Sequence, residues 1–491
     1  MMSAEAAFQL GLDALRQGRE EEVIAPLRDA AARYPDRAEL WQVLGLNQRA
    51  AEDLGAAVES FRAAFRLAPN DRKIAQGLAQ CLSEAGVAGA AAAFEHAARI
   101  APDDLEIAQG MIAAIAAEFG PLAALERLRP MLQRHPEWLA GHWLLSRLIG
   151  VSGTPEPFDR VLEQAVRQRP GNADLRHQWL FTAMKRRDWN RAIAIAVDGR
   201  RLFPSDSRFG WSEAACRSEA GDFAGASALY ERLGPIPDIG NGIYRCRHWL
   251  RLGEPQRVSD LAAQVPDPAL AEPLFPYLSV AWRLLGDDRL AWLQPDQLVG
   301  IYDLRAALPP LTDLADHLRR LHTQVNEPLE QSVRTGTQTD GPLLSRAEPI
   351  IRHLRGAIEG AVRQHLATLP PVDPKHPQLR HRRDRPVRFA GSWSVRLRGS
   401  GHHEQHIHPE GWFSSALYIA LPPGLGGSDK AGWLTLGQPQ DSLGLDLEPT
   451  RVVEPAPGRL VLFPSTMWHG TVPFAEGERL TVAFDVAPPR G

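Results

Sequence analysis

Histidines gather late in this 491-residue chain, in the run GHHEQHIHPEGW that carries His402, His403, His406 and His408. A further one, His469, lies in FPSTMWHGTVP. His406 and His408 stand two residues apart, so on an extended strand both rings leave the same face and can chelate one ion. A third ligand on a neighbouring strand would complete a facial set with open positions. His469 follows GRLVLFPS, which reads as a strand running into a loop, and so suits that place. Imidazole favours iron, copper, nickel or zinc over calcium or magnesium. His402 and Glu404 repeat the same spacing and could supply a carboxylate ligand beside His469. A chain without a functional metal is a further alternative.

Ten residues after His469 comes Arg479, in ERLTVAF. On a strand Arg479 and Thr481 share one face, while Leu480, Val482 and Phe484 share the other. An arginine aimed into a β-core is costly unless it meets an anion. Asp485 falls on the same face and is one candidate partner. The other is a bound carboxylate, which a guanidinium grips through two hydrogen bonds. Metal ligands beside such an arginine suit a molecule that chelates metal at one end and carries a carboxylate at the other, as 2-oxoglutarate does.

The elements that must position these groups change character along the chain. From Val387 the apolar period is two: FAGSWSVRLRG, SALYIALP, WLTLG, GRLVLFPS and RLTVAFDV read as strands of an antiparallel sandwich or barrel. His402 and His403 fall in a loop on this reading, and Trp412, Trp433 and Trp468 read as barrel packing. Upstream, LPPLTDLADHLRRLHTQV and a stretch at about 343–367 read as helices. QSVRTGTQT, residues 331–339, reads as a loop. Arg380, Arg382, Arg383, Arg385 and Arg388 form a basic run, either a solvated face or a grip on an acidic substrate.

The segments HIHPEGWFSSALYIALP, PGRLVLFPSTMWHGTVPF and GERLTVAFDV resemble the Fe(II)/2-oxoglutarate-dependent oxygenases of the prolyl-hydroxylase-like type. The likeness is to the subgroup with H-x-H-P ahead of a W-S-G-V-Y-Y-like strand, and QSVRTGTQT is similar to a segment of it. The resemblance covers about residues 312–491 and implies a double-stranded β-helix. It implies hydroxylation of a C–H bond by dioxygen, coupled to decarboxylation of 2-oxoglutarate to succinate. It assigns Fe(II) to His406, His408 and His469, and the distal carboxylate to Arg479 with Thr481. His408 stands where most of the superfamily has Asp or Glu. Tyr418, with Ile419, occupies the subgroup's tyrosine pair and is a candidate cosubstrate contact.

The first half is periodic. Pro35, Pro69, Pro102, Pro136, Pro170 and Pro204 end apolar helix-like runs at separations of 34, 33, 34, 34 and 34 residues, with echoes at Pro237 and Pro266. Proline stops one helix, and a following Asp or Asn can cap the next. Trp41, Leu44 and Gly45, then Ala57, Phe61 and Ala64, sit at helical spacing, and Phe94 and Ala97 repeat the pattern. This resembles the tetratricopeptide repeat, through its W-x-x-L-G and A-x-x-x-F…P positions. Trp41, Trp138, Trp143 and Trp179 read as core. Such a solenoid commonly offers a concave face to a peptide or protein.

The reading is an α+β multidomain chain. A tetratricopeptide-repeat solenoid over 3–290 is followed by a linker over 291–311 and by a double-stranded β-helix (jelly-roll) oxygenase domain with flanking helices over 312–491. The expected activity is a 2-oxoglutarate-dependent dioxygenase that hydroxylates a peptide or protein side chain recruited by the repeats. The alternatives are a repeat-based scaffold with a degenerate oxygenase domain and a cupin-type metalloenzyme without cosubstrate. A net charge of −4 argues against nucleic acid and anionic membranes as partners. Cys81, Cys216 and Cys246 are odd in number and far apart, which argues against disulfides and suits a reducing compartment. No secretory leader and no membrane-spanning run is read, so a cytoplasmic location is expected, with homo-oligomerisation left open.

Overall fold

The computed structural model describes residues 2–265, 267–324, 326, 332–423, 425 and 430–489. Pro266 and Gln331, used in the sequence reading, lie outside the described residues. Up to residue 285 the chain is a run of paired helices, among them Ala38–Ala50 with Leu54–Leu67, Arg72–Glu84 with Ala90–Ile100 and Leu105–Phe119 with Pro121–Arg134. This is the tetratricopeptide-repeat solenoid. The residue two beyond the proline caps the next helix where it can. Asp71 accepts from the Ile74 amide at 3.0 Å, Asn172 from Leu175 at 3.0 Å, and Asp206 from Arg208 at 3.1 Å. Arg37 and Trp138 hold the same position without a side-chain cap. Asp238, after the echo at Pro237, also caps its helix, accepting from Asn241 at 2.9 Å.

Helix spacing is set by small residues around large ones. The Phe61 ring is fully buried, and a Cβ added at Gly45 would come within 2.7 Å of it. One added at Gly77, on the next repeat, would come within 2.2 Å. Glycine at both positions lets three helices close on one aromatic knob.

Among the described residues the C-terminal part holds nine strands: β1 Gly300–Asp303, β2 Val333–Gln338, β3 Phe389–His403, β4 Phe413–Ala420, β5 Leu434–Leu436, β6 Arg451–Val453, β7 Arg459–Pro464, β8 His469–Thr471 and β9 Arg479–Val486. They form an antiparallel six-stranded sheet in the order β1-β7-β4-β9-β3-β2 and a smaller sheet in the order β6-β5-β8. From β3 onward the chain passes back and forth between the sheets, which is the path of a double-stranded β-helix. Segment 291–311, expected as a linker, contributes β1 to the edge of the large sheet.

The alternation read in β9 sorts two environments. Leu480, Val482 and Phe484 pack outward with Ile351, Leu354 and Ile358 of the helix Pro349–Thr368 and with Leu314 of the helix Leu311–Leu321. Tyr418, Leu434, Leu436, Val461 and Phe463 fill the space between the sheets, and Arg479, Thr481 and Asp485 face that side.

Two expected loops are strands. QSVRTGTQT supplies β2, an edge strand broken by a bulge between Arg334 and Gly336, with Thr335 at φ 55°. Its Val and Thr residues suit a pleated surface. Gly336 is needed because a Cβ there would lie 2.8 Å from the Arg396 carbonyl oxygen. His402 and His403 belong to the end of β3, paired with Arg334 and Val333.

The solenoid meets the C-terminal part of the chain at both of its ends. Arg355 pairs with Glu52 at 2.7 Å, and Arg388 with Glu20 at 3.1 Å. Arg380 pairs with Glu272 at 2.7 Å. At the far end Trp468 donates to the Pro276 carbonyl at 2.9 Å and meets Tyr277 edge-on. Within the basic run, Arg380 and Arg388 stitch the two parts together, so these two do not belong to a solvated face.

Candidate metal centre

Three of the five late histidines converge. His406 lies just past β3, where its amide and carbonyl bond to those of His469 at 2.9 and 3.0 Å. That bridge sets the two backbones side by side. The His408 amide is tied to the Ser465 carbonyl at 3.0 Å. One ring nitrogen from each of His406, His408 and His469 falls within 4.8 Å of the other two.

The rings are held through Nδ1. His406 Nδ1 donates to the Glu404 carbonyl at 2.8 Å, His469 Nδ1 to the Met467 carbonyl at 3.0 Å, and His408 Nδ1 to Asp485 Oδ2 at 2.8 Å. A ring nitrogen that donates fixes the tautomer and leaves the Nε2 lone pair for a metal. Burial holds His406 neutral, pushing its pKa down to about 3. His469 and His403 are pushed well below the usual imidazole value by the same cause. A neutral imidazole is the form that binds a metal. His403 stacks 5.7 Å from His406, and Ser332 Oγ lies 3.0 Å from His403 Nδ1 and 3.1 Å from His406 Nε2.

The alternative set does not assemble. Glu404 pairs with Arg187 at 2.7 Å and Arg334 at 3.0 Å, and His402 bonds only weakly to the Ser400 carbonyl at 3.3 Å.

Arg479 lines the same cavity as the three histidines and is 2 % exposed. Its Nη1 donates to Thr471 Oγ1 at 3.1 Å, its guanidinium lies 5.1 Å over the Tyr418 ring, and its Nε has no hydrogen-bond partner. Among the described residues it makes no ion pair, because Asp485 is engaged by His408 and Ser414. Burial pulls the guanidinium pKa down, partly opposed by Tyr418, and burial raises the Tyr418 phenol. A buried cation with an unsatisfied N–H calls for an anion. The donor set therefore fits both halves of a metal-chelating dicarboxylate. Thr481 lines this cavity too, but the hydroxyl bonded to Arg479 is that of Thr471.

Sequence reasoning missed Thr471, Ser332, Ser414 and Trp393, which also line the cavity. Thr471 alone left a signal, standing two residues beyond His469 on β8. Trp468 faces away from the cavity into the solenoid, whereas Trp412 donates to the Gln378 carbonyl at 2.8 Å within the helix-covered core.

The family model described as "Putative 2OG-Fe(II) oxygenase" matches residues 391–485. No curated protein matches the chain. Similar solved structures include a tetratricopeptide repeat protein from Parabacteroides merdae (17% identity, 58% of this chain and 97% of that one, TM-score 0.31). PilF of Pseudomonas aeruginosa is another (18%, 42% and 94%, TM-score 0.29). A Thermobaculum terrenum O-GlcNAc transferase mutant is a third (22%, 27% of this chain, TM-score 0.24), and the chain spans only 26% of its length. The repeat assignment stands on the chain's own period and paired helices. Behind its tetratricopeptide-repeat solenoid, this chain carries over residues 391–485 a domain of the 2OG-Fe(II) oxygenase family.

Proposed function

We propose that the chain is an Fe(II)- and 2-oxoglutarate-dependent hydroxylase acting on a peptide or protein segment. The observation that carries this reading is the convergence on one cavity of three imidazoles, two half-buried and one buried, with a buried arginine that has no acidic partner among the described residues. His406, His408 and His469 would hold the metal, and Arg479, with Thr471 orienting it, would hold the distal carboxylate. When bound, Fe(II) and 2-oxoglutarate supply oxidative decarboxylation of the 2-oxo acid with dioxygen, leaving succinate and a hydroxylated substrate. The chain's own contribution is positioning: Nδ1 anchors fix the three rings, and the apolar wall of Leu434 and Phe463 keeps water away.

A second cavity, of about 1260 Å3, supports a polypeptide substrate. It is larger than the roughly 300–1,000 Å3 of small-molecule sites. Phe158, Arg187 and Tyr244 of the solenoid form one wall, and Arg334, Thr337 and Glu404 form the other. Glu404 of this second wall also anchors His406 of the first cavity, its carbonyl accepting from His406 Nδ1.

The test is succinate release from 2-oxoglutarate by the intact chain with Fe(II) and dioxygen, alongside His469→Ala. Candidate proteins trapped on His469→Ala should gain the mass of one oxygen atom when returned to the intact enzyme. Metal-dependent succinate absent under every condition, with 2-oxoglutarate still bound, would favour a non-catalytic sensor. Turnover indifferent to 2-oxoglutarate would favour a cosubstrate-free metalloenzyme.

A further inference from the structure

Three neutral imidazoles leave a divalent metal with its full double charge, whereas a carboxylate ligand would halve it. The structure holds an anion where that deficit would be felt. Asp485, on β9, is 7 % exposed, and its Oδ2 accepts from His408 Nδ1 at 2.8 Å. Its Oδ1 accepts from Ser414 Oγ at 2.6 Å, and the Ser465 hydroxyl stands 2.9 Å behind Ser414. Asp485 and Ser414 are register partners across β9 and β4, so the sheet itself fixes this pairing. Gly411 closes the nest, since a Cβ there would lie 2.4 Å from Ser465 Oγ and 3.0 Å from Asp485 Cβ. Trp393 stacks on the His408 ring at 5.4 Å and 8°.

We infer that Asp485 is the positioning residue of the metal centre: through His408 it returns, one hydrogen bond outward, the negative charge that the ligand set lacks. The inference rests on the metal reading above. Two independent features carry it. His408 is held in plane by Trp393 and in rotation by Asp485, which leaves only Nε2 directed at His406 and His469. Asp485 is also a buried carboxylate that, among the described residues, pairs with no Arg or Lys. A buried charge needs a counter-charge, and a cation on the far side of His408 provides one. A carboxylate on the outer nitrogen of a ligating histidine raises the basicity of the inner one, and its loss typically costs 10–100-fold in metal affinity.

The test is a thermodynamic cycle on the full chain stripped with chelator, titrated calorimetrically with Co(II) and read by its visible absorption. Asp485→Asn keeps size and shape and is expected to weaken Co(II) binding about 10–100-fold, with a changed Co(II) spectrum. In a His408→Ala background the same substitution should change binding by no more than about twofold, because the two act as one unit. Ser414→Ala, which leaves the carboxylate but frees one of its oxygens, should give a smaller loss in the same direction. It also serves if Asp485→Asn does not fold. Unchanged Co(II) affinity in Asp485→Asn overturns the inference, as does an equal loss with and without His408. An intact chain that takes up no Co(II) overturns the metal reading itself, and the two failures are thereby distinct.

Discussion

The groups most exposed to direct test are single side chains on β8 and β9. Arg479 is buried, bonded by one N–H to Thr471 and left with another unsatisfied. Charge-assisted hydrogen bonds are worth roughly 1.5–3 kcal/mol each. Arg479→Ala is therefore expected to weaken 2-oxoglutarate binding by about 100-fold or more while leaving Co(II) affinity little changed. Arg479→Lys should recover only part, since an ammonium lacks the planar fork. Competition calorimetry separates these outcomes. The convergence of the three histidines was legible in the sequence because His406 and His408 obey the two-residue period of a strand and His469 follows a strand end. The pairing of His408 with Asp485 was not: the residues are 77 apart, and only the β4–β9 register brings them together. Arg479 was legible as a buried cation from strand alternation, but its tie to Thr471 depends on how β8 lies beside it.

At the scale of elements, packing overrules local preference at defined places. Gly77 lies inside the helix Arg72–Glu84, where alanine would gain about 1 kcal/mol of helix propensity. Its added Cβ would stand 2.2 Å from the buried Phe61 ring, and overpacking typically costs about 1–3 kcal/mol. Gly77→Ala is thus expected to lower the melting temperature, whereas the exposed-helix rule alone would raise it. The edge strand β1 shows a similar dependence on its neighbours. It carries no strong strand signal, yet it adds to β7, and Tyr302 bonds His365 Nδ1 at 3.0 Å on the flanking helix. Burial lowers the pKa of His365, and of His322 at the end of the helix Leu311–Leu321, to about 4. The unfolded chain then binds more protons than the folded one between about pH 6.5 and 4. Stability should be full above this window and fall as the pH drops through it, by up to about 1.4 kcal/mol per pH unit for each histidine. Melting scans in chelator check the sign, and a chain more stable at pH 5 than at pH 7 would contradict it.

At the scale of the whole molecule, period 34 followed by period 2 was enough to read an α-solenoid ahead of a β-domain. How the two dock was not readable, because Arg380 and Arg388 pair with acids 108 and 368 residues away. Trp468 joins the scales. It is fully buried against Tyr277 and the Pro276 carbonyl, and it immediately precedes His469, a proposed ligand. Truncating a buried tryptophan costs about 3–5 kcal/mol. Trp468→Ala is expected to split the unfolding of the intact chain into two transitions, with the oxygenase part melting first. A single unshifted transition would show that this contact carries little of the docking.

The central claim is that one cavity holds a metal on His406, His408 and His469 and a dicarboxylate on Arg479. Anaerobic titration of the intact chain with 2-oxoglutarate, with and without Fe(II), tests it most directly. Saturable binding that requires the metal, disappears in His469→Ala and weakens in Arg479→Ala is the expected result. Binding that ignores the metal and both substitutions, or no binding at any concentration, would contradict it.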